Sequence, residues 1–164
     1  FHPSLLPLYR GANPIEAQIL DGVNDIDLSW HRISTKIDAG EILRNAKFPL
    51  YENDDYQTVL KKAVNRGAIL MRDLVKKPEI KSLSFDLPKE TSYFPKFQKS
   101  DALITPETSI SKAKRIIRAL GWLGWVTYLS ENLHVHNVTS VLNNGGISIP
   151  LKDGHLKIKG ILKE

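Results

Sequence analysis

Two polar residues in the first quarter of the chain have side chains suited to acid–base chemistry. His2 stands at the start of a loop bounded by prolines, and Asp38 lies in the glycine-ended stretch of residues 34–40. An imidazole titrates near neutral pH, and a carboxylate beside it favours the charged form and fixes the orientation of the ring. Such a pair could move a proton during acyl transfer to an amine. By themselves, however, a histidine and an aspartate 36 positions apart more often have a purely structural role.

The elements around these two residues follow from local signals. Asn13, Pro14 and Glu16 are typical of a helix start with a capping box, and Gly22 suits its end. Alternation through residues 26–31 predicts a half-buried strand, a loop follows over 33–40, and residues 42–50 predict a second strand. Apolar residues at three- and four-residue steps then predict a helix that begins at Asp54 or Asp55 and ends near Lys76.

The rest of the chain has a different pattern. Residues 77–100 contain three prolines and several serines without a sustained period, which predicts a linker between domains. A basic helix with Ile110, Ala113, Ile117 and Leu120 on one side follows, and then short strands separated by turns at 143–146 and 153–154. The expected domains are therefore 1–76, a linker over 77–100, and a small barrel-like domain over 101–164. Residues 1–76 supply only half of an α/β layer, so the remaining strands and crossover helices of a parallel sheet are expected upstream.

Composition excludes several classes of protein. The 164 residues contain no cysteine, which excludes disulfides, a thiolate nucleophile and a cysteine-type zinc site, and which fits a cytoplasmic protein. No apolar run is long enough to span a membrane, and the opening residues do not form a signal peptide, so we expect the start to be an internal cut.

Of the net charge of +5, most lies in residues 89–164, which carry 11 basic and 6 acidic groups. That excess suits either an anionic partner such as RNA or a solvated face.

A longer motif surrounds the two polar residues: residues 2–7 read His-Pro-Ser-Leu-Leu-Pro, residues 9–11 read Tyr-Arg-Gly, and Asp38 stands two residues before Gly40. With this motif the first half of the chain resembles the formyltransferases that use 10-formyltetrahydrofolate. The family motif has an asparagine two residues before a histidine, then a Ser-Leu-Leu-Pro and an Arg-Gly step, and later an aspartate before a glycine. The matching residues are His2, Pro3, Ser4, Leu5, Leu6, Pro7, Tyr9, Arg10, Gly11, Asp38, Gly40 and Ile42. The asparagine would precede Phe1. Weaker similarity to the C-terminal domain of methionyl-tRNA and amino-sugar formyltransferases continues at Tyr93, Pro95, Lys96, Lys99, Asp101, Ala102 and residues 116–120.

The resemblance implies a fold and a set of roles. The fold class would be α/β: the second half of a Rossmann-like formyltransferase core, followed by a small β-rich, OB-like domain. Catalysis would fall to His2, kept protonated by Asp38, together with the upstream asparagine. The backbone of Ser34, Thr35, Lys36 and Ile37 would line the pterin pocket of the 10-formyltetrahydrofolate co-substrate. The wall of the substrate loop would consist of Ser4, Leu5, Leu6, Pro7, Arg10 and Gly11.

The acceptor amine remains open between two choices. Methionyl-tRNA ranks first because of the basic tail, where RNA contacts would come from Lys112, Lys114, Arg115 and Arg118. An amino-sugar nucleotide ranks second, favoured by the Trp30 to Ile33 stretch. A formyltetrahydrofolate hydrolase, and an inactive binding fragment that dimerises through exposed sheet edges, are further alternatives. His134 and His136 could face one way on a strand, but without a third ligand at recognisable spacing no metal is expected.

Overall fold

A computed structural model of the chain describes residues 1–76, 90–124, 126–129, 131–137 and 147–163. Most of the predicted linker, Trp125 and the predicted turn at 143–146 lie outside the described residues. None of the helices in the described residues combines the length and the apolar character that crossing a membrane requires.

The first segment of the chain is a loop that leads into helix α1. A two-residue strand, β1 (Arg10–Gly11), precedes α1 (Pro14–Asp21), which ends at Gly22 in the left-handed conformation with φ 72°. Both predicted ends of this helix are therefore confirmed. The predicted capping box is wrong, because Asn13 makes no side-chain cap bond. Its Oδ1 instead accepts a hydrogen bond from the backbone N–H of Phe97 at 3.1 Å, which ties the helix start to the second half of the chain.

Two strands form an antiparallel hairpin that carries the site loop. Strand β2 (Asp25–His31) pairs with β3 (Ile42–Pro49) in an antiparallel register from Asp25 opposite Pro49 to His31 opposite Ile42. The ten residues between them reverse the chain direction without the crossover that a parallel pair would need. The strands are thus where they were predicted, but among the described residues neither belongs to a parallel sheet.

Helix α2 (Tyr56–Lys76) covers one face of this hairpin and confirms the predicted periodic helix. Its buried residues are Val59, Ala63, Gly67 and Leu74. The indole Nε1 of Trp30 donates a hydrogen bond to the carbonyl oxygen of Gly67 at 2.9 Å. The ring of Phe1 lies against the same glycine, so closely that a Cβ there would be 2.6 Å from a ring carbon.

In its described residues, the second half of the chain forms a five-stranded sheet with one α-helix. Strand β4 (Tyr93–Phe94) and a 3-10 turn (Lys99–Ala102) lead into β5 (Leu103–Ile104), α3 (Ile110–Leu120) and a second 3-10 turn (Gly121–Leu123). Strands β6 (Thr127–Tyr128), β7 (Glu131–Asn137), β8 (Ile147–Leu151) and β9 (Gly154–Lys163) complete it. The order across the sheet is β5-β6-β7-β9-β8, with only the β5–β6 pair parallel.

The two halves share one hydrophobic core. Buried residues of α1, β2 and α2 form a single cluster with those of α3 and the five-stranded sheet, for example Ile19 and Val59 with Ile116 and Ile158. Strand β1 also pairs in parallel with β4, with Arg10 opposite Tyr93. The start of the second half, at β4, is therefore hydrogen-bonded to the first loop of the chain, at β1.

Candidate active site

His2 is held by backbone pairing with the strand beside it. Its N–H donates to the carbonyl oxygen of Ser29 and its carbonyl oxygen accepts from the N–H of Ser29, both at 2.8 Å. The histidine is buried, with 6% of its surface exposed. Because both backbone groups are used, the ring position depends on β2 rather than on a flexible chain end.

The structure brings the two predicted catalytic residues together. Nδ1 of His2 lies 3.6 Å from Oδ1 of Asp38, a distance for an ion pair but too long for a good hydrogen bond. The other carboxylate oxygen of Asp38 accepts a hydrogen bond from the backbone N–H of Gly11 at 3.1 Å. Asp38 itself has a positive φ of 51°, a conformation that is uncommon outside glycine and that turns its side chain back toward the first loop.

Two tight glycine contacts keep this arrangement in place. A Cβ on Gly40 would fall on the backbone carbonyl oxygen of Arg32, across the base of the loop. A Cβ on Gly11 would fall on the carbonyl oxygen of Phe94, and Gly11 has a φ of 110° that side chains rarely adopt. Both positions therefore require glycine for close backbone approach.

Burial makes the neutral form of His2 the favoured one. Desolvation lowers the pKa of His2 and outweighs the opposing effects of its hydrogen bond to Tyr9 and of the nearby Asp38 charge. Nε2 lies 2.9 Å from the carbonyl oxygen of Tyr9, which can only accept, so Nε2 carries the proton and Nδ1 presents a lone pair to Asp38. The attraction of Asp38 acts in the opposite direction, and its predicted role of keeping His2 cationic stays a prediction.

A second histidine, at the end of β2, also contacts Asp38. Nε2 of His31 lies 3.8 Å from Oδ1, the oxygen that faces His2. The other ring nitrogen, Nδ1, lies 3.0 Å from the carbonyl oxygen of Arg32, to which it donates a hydrogen bond. The carboxylate thus sits between two imidazoles. His31 lies at the end of β2, where the loop to Asp38 begins. That position in the sequence was the signal that could have identified it.

A buried serine pair shapes the predicted substrate loop. Ser29 Oγ donates to the carbonyl oxygen of Ser4 at 2.7 Å and accepts from the backbone N–H of Leu6 at 3.2 Å. Ser4 Oγ in turn donates to the carbonyl oxygen of Leu8 at 2.7 Å. Ser4 and Leu6 are buried, whereas Leu5 and Pro7 are half-buried, so this loop is folded onto β2 rather than freely exposed. Ser29 is buried because this loop covers its face of the strand.

The described last part of the predicted linker, from residue 90, packs against the same loop. Ser92 accepts a hydrogen bond from the backbone N–H of Tyr9 on its Oγ at 2.7 Å and another from the N–H of Arg10 on its carbonyl oxygen at 3.0 Å. The ring of Tyr9 also stacks on Phe94 with centroids 5.4 Å apart. The carbonyl oxygen of Tyr9 accepts the hydrogen bond from His2 Nε2, so the second half of the chain positions the His2 ring indirectly.

The predicted folate-binding residues lie on the exposed outer part of the hairpin loop. Ser34, Thr35, Lys36 and Ile37 are all exposed, Ile37 to 75%. Ser34 Oγ donates to the carbonyl oxygen of Lys36 at 2.7 Å, which closes a small turn. The loop is therefore next to Asp38 in the chain, but none of the four residues lines the cleft that contains His2.

That cleft has a volume of about 430 Å³. His2, Pro3 and Gly11 form one part of its wall, and the start of α1 forms another. Tyr56, Leu60 and Trp122 form the aromatic and apolar part. A volume in this range accommodates a small organic ligand.

The predicted RNA-contact residues do not form one free surface. The guanidinium of Arg118 donates to the carbonyl oxygens of Asp54 at 2.6 Å and Tyr51 at 3.2 Å, so it ties α3 to the residues before α2. Arg115 bonds Ser111 at 3.0 Å, whereas Lys112 is exposed and Lys114 half-buried. Lys114, Arg115 and Arg118 line a cleft of about 590 Å³, and Lys112 lines a different one.

Among the residues that the structure describes, no group of three histidine, cysteine or acidic side chains could hold a metal ion. The side chains of His134 and His136 lie outside that description.

Comparison with known proteins connects this site to a known fold. The family model described as formyl transferase matches residues 1–75. The methionyl-tRNA formyltransferase of Caldicellulosiruptor saccharolyticus is 32% identical over 181 residues, which cover 99% of this chain and 58% of that protein. The GDP-perosamine N-formyltransferase of Brucella melitensis is 29% identical over 119 residues, 73% of this chain and 46% of that protein. The chain thus spans about half the length of these relatives.

A solved structure with the same fold is WlaRD, a sugar 3N-formyl transferase crystallised in the presence of dTDP and 5-N-formyl-THF. It superimposes with a TM-score of 0.75 at 18% identity and covers 98% of this chain and 63% of that one. At this identity the likeness establishes the α/β fold alone.

Proposed function

This chain belongs to the formyltransferase family, and on that premise we propose that the protein transfers a formyl group from 10-formyltetrahydrofolate to a primary amine. The observation that carries the proposal is the contact between His2 Nδ1 and Asp38 Oδ1 at 3.6 Å beside an open cleft. A folate co-substrate is supported by the solved relative that was crystallised with a formylated tetrahydrofolate. The exposed turn of residues 34–37 next to Asp38 is the proposed edge of the pterin site.

The lone pair on His2 Nδ1 suggests how the proton moves. The amine attacks the formyl carbon, the new N–C bond forms, and Nδ1 of His2 takes up the proton that the amine loses; the bond between the formyl carbon and the folate nitrogen then breaks. The resulting imidazolium keeps its Nε2 hydrogen bond to Tyr9 and is stabilised by Asp38. It can then donate to the oxyanion or return the proton to the departing folate nitrogen. Each preorganised donor to such an oxyanion contributes about 3 kcal/mol.

Single substitutions in the complete protein test this role. His2→Asn and Asp38→Asn should each lower kcat for formyl transfer by about 100-fold or more, with little change in the KM for 10-formyltetrahydrofolate. The matched control is His155→Asn, because His155 is exposed and lies in the five-stranded sheet. Unchanged kcat in either variant would exclude the proposed chemistry. Release of formate without any amine would instead favour the hydrolase alternative.

For the acceptor we propose methionyl-tRNA first and an amino-sugar nucleotide second, since relatives of both kinds are similar to this chain. The test is a double substitution, Lys112→Gln with Lys114→Gln, because neither lysine holds the backbone as Arg118 does. Weaker formylation of tRNA, compared with a Lys61→Gln and Lys76→Gln control on α2, would support RNA contact. Unchanged tRNA formylation would remove that role from α3.

Three further parts of the proposal concern the organisation of the chain. We propose residues 1–76 as part of the catalytic core and residues 101–164 as a small OB-like domain, supported by the five-stranded sheet and α3.

Residues 1–164 alone should lack transferase activity, because the motif asparagine, the second oxyanion donor, is not among them. Turnover by this chain would contradict that. Exposed strand edges would support a homodimer, and a monomeric mass by light scattering at high concentration would exclude it.

A further inference from the structure

Ser92 contacts the loop after His2 with its backbone N–H, its carbonyl oxygen and its hydroxyl. The N–H donates to the carbonyl oxygen of Pro7 at 3.3 Å, and the carbonyl oxygen accepts from the N–H of Arg10 at 3.0 Å. The Oγ accepts from the N–H of Tyr9 at 2.7 Å, the shortest of the three contacts. The two main-chain contacts could form with most residue types at position 92, whereas the contact with Tyr9 requires a side-chain acceptor. The side chain of Ser92 therefore acts on the backbone of Tyr9.

The backbone of Tyr9 has a conformation that residues other than glycine rarely adopt. Its φ is 55°, in the left-handed region, where a Cβ causes strain. Such a conformation persists only where the surroundings determine it. Besides the hydrogen bond to Ser92, the Tyr9 ring stacks on Phe94 with the planes 20° apart, and its hydroxyl donates to Oδ2 of Asp21 at 2.9 Å. These contacts hold the Tyr9 backbone in an orientation that it would not otherwise favour.

This conformation sets the direction of the Tyr9 carbonyl. Its oxygen lies 2.9 Å from Nε2 of His2, whereas Oδ1 of Asp38 lies 3.6 Å from Nδ1 of the same ring. The two acceptors compete for the single proton of the neutral imidazole, because the carbonyl stabilises the tautomer protonated on Nε2 and the carboxylate stabilises the one protonated on Nδ1. Only the first tautomer leaves a lone pair on Nδ1. The direction of the Tyr9 carbonyl therefore decides which ring nitrogen can accept a proton.

We propose that Ser92 is a positioning residue: through the Tyr9 carbonyl it keeps the proton of neutral His2 on Nε2 and leaves Nδ1 free as the base. The effect on catalysis rests on the proposed function, whereas the effect on the ring does not. Without the Ser92 hydroxyl, the Tyr9 N–H loses its partner and the backbone can turn the carbonyl away from His2. Nε2 then loses its proton to water, and Nδ1 takes one up where Asp38 can accept the hydrogen bond. A serine that only joined the two halves of the chain would affect stability and leave the tautomer unchanged.

Nitrogen-15 NMR of the complete protein, labelled in histidine, measures the tautomer directly, because protonated and unprotonated ring nitrogens differ widely in chemical shift. The His2 signals are assigned by their loss in His2→Asn, and spectra are recorded at about pH 8, where the ring is neutral. We expect protonated Nε2 in the wild type and a shift of both signals toward the Nδ1-protonated form in Ser92→Ala.

Two further variants separate the hydroxyl of Ser92 from its shape. Ser92→Thr retains the hydroxyl and should give the wild-type spectrum, whereas Ser92→Val has the shape of threonine without the hydroxyl and should resemble Ser92→Ala. In Ser92→Ala and Ser92→Val, kcat for formyl transfer should fall about tenfold, with the KM for 10-formyltetrahydrofolate within about twofold. Ser100→Ala is the control, because Ser100 is an exposed serine in the turn that precedes β5.

The outcomes separate this inference from the proposed function. An unchanged His2 spectrum in both Ser92→Ala and Ser92→Val overturns the inference, and so does a spectrum of Ser92→Thr that equals that of Ser92→Val. A changed spectrum with unchanged kcat, or in a protein that transfers no formyl group, supports the positioning of His2 by Ser92 and contradicts the proposed function. If Ser92→Ala does not fold, Ser92→Cys takes its place, since a thiol is a weak acceptor of similar size and the same change in the spectrum is expected.

Discussion

Replacing Ser29 with alanine tests the buried hydrogen bonds that shape the catalytic loop. The serine is completely buried, and its hydroxyl serves two backbone groups of the loop after His2. Ser29→Ala leaves the carbonyl of Ser4 and the N–H of Leu6 without this partner in a place that excludes water. The backbone pairing of Ser29 with His2 does not involve the hydroxyl and remains available.

The expected loss of stability follows from those two groups. A buried polar group without a partner costs about 1–3 kcal/mol. The Ser4 bond is short at 2.7 Å, whereas the Leu6 bond at 3.2 Å is weaker, so we expect a total of about 2–4 kcal/mol. With a urea m-value of about 2 kcal/mol per molar for a chain of this size, the midpoint of unfolding should fall by about 1–2 M.

Urea titration followed by circular dichroism measures the midpoint, and hydrogen exchange at Leu6 should accelerate in the same variant. The control is Ser100→Ala, an exposed serine whose loss should change the free energy of unfolding by less than about 0.5 kcal/mol. If Ser29→Ala unfolds at the same urea concentration as Ser100→Ala, the two hydrogen bonds do not stabilise the loop and the reasoning is wrong.

Three other substitutions test the environment of the site. Because the pKa of His2 is lowered in the fold, the unfolded chain binds more protons below pH about 6.5, so stability should fall on acidification from pH 7.5 to 5.5. In His2→Asn that fall, measured by urea titration at both pH values, should be smaller; an equal fall would contradict the lowered pKa. Gly40→Ala should displace the Arg32 carbonyl and destabilise the chain by about 1–3 kcal/mol, unlike Ala39→Ser, and thermal unfolding compares the two. Arg118→Met should cost about 2 kcal/mol in urea unfolding because two backbone carbonyls before α2 lose their donor, and no change would mean that water replaces it.

Local signals in the chain predicted most elements correctly. Helix α1 begins at the proline and ends at the glycine that the sequence indicated, and α2, β2 and β3 lie within a few residues of their predicted ranges. These predictions succeed because propensity, capping and periodicity depend on residues only a few positions apart. The choice of His2 and Asp38 came from a family resemblance, and their contact agrees with it.

Other features depended on which distant segments meet. The side-chain oxygen of Asn13 accepts a hydrogen bond from Phe97 instead of capping α1, and Ser92 accepts one from Tyr9 in the loop after His2. In each case the two residues are more than eighty positions apart in the chain. Neither partner has a local pattern that would reveal it. His31 likewise became part of the site only because the hairpin loop folds Asp38 back toward the strand end.

The sequence by itself determined where helices and strands form and which residue types were available for proton transfer, because those properties are encoded in short stretches of chain. Only the tertiary structure decided that burial lowers the pKa of His2, that Ser29 faces inward, and that Trp122 and His2 line one cleft. Desolvation and the formation of a cleft depend on the atoms that surround a group from every side, and folding brings those atoms from distant parts of the chain.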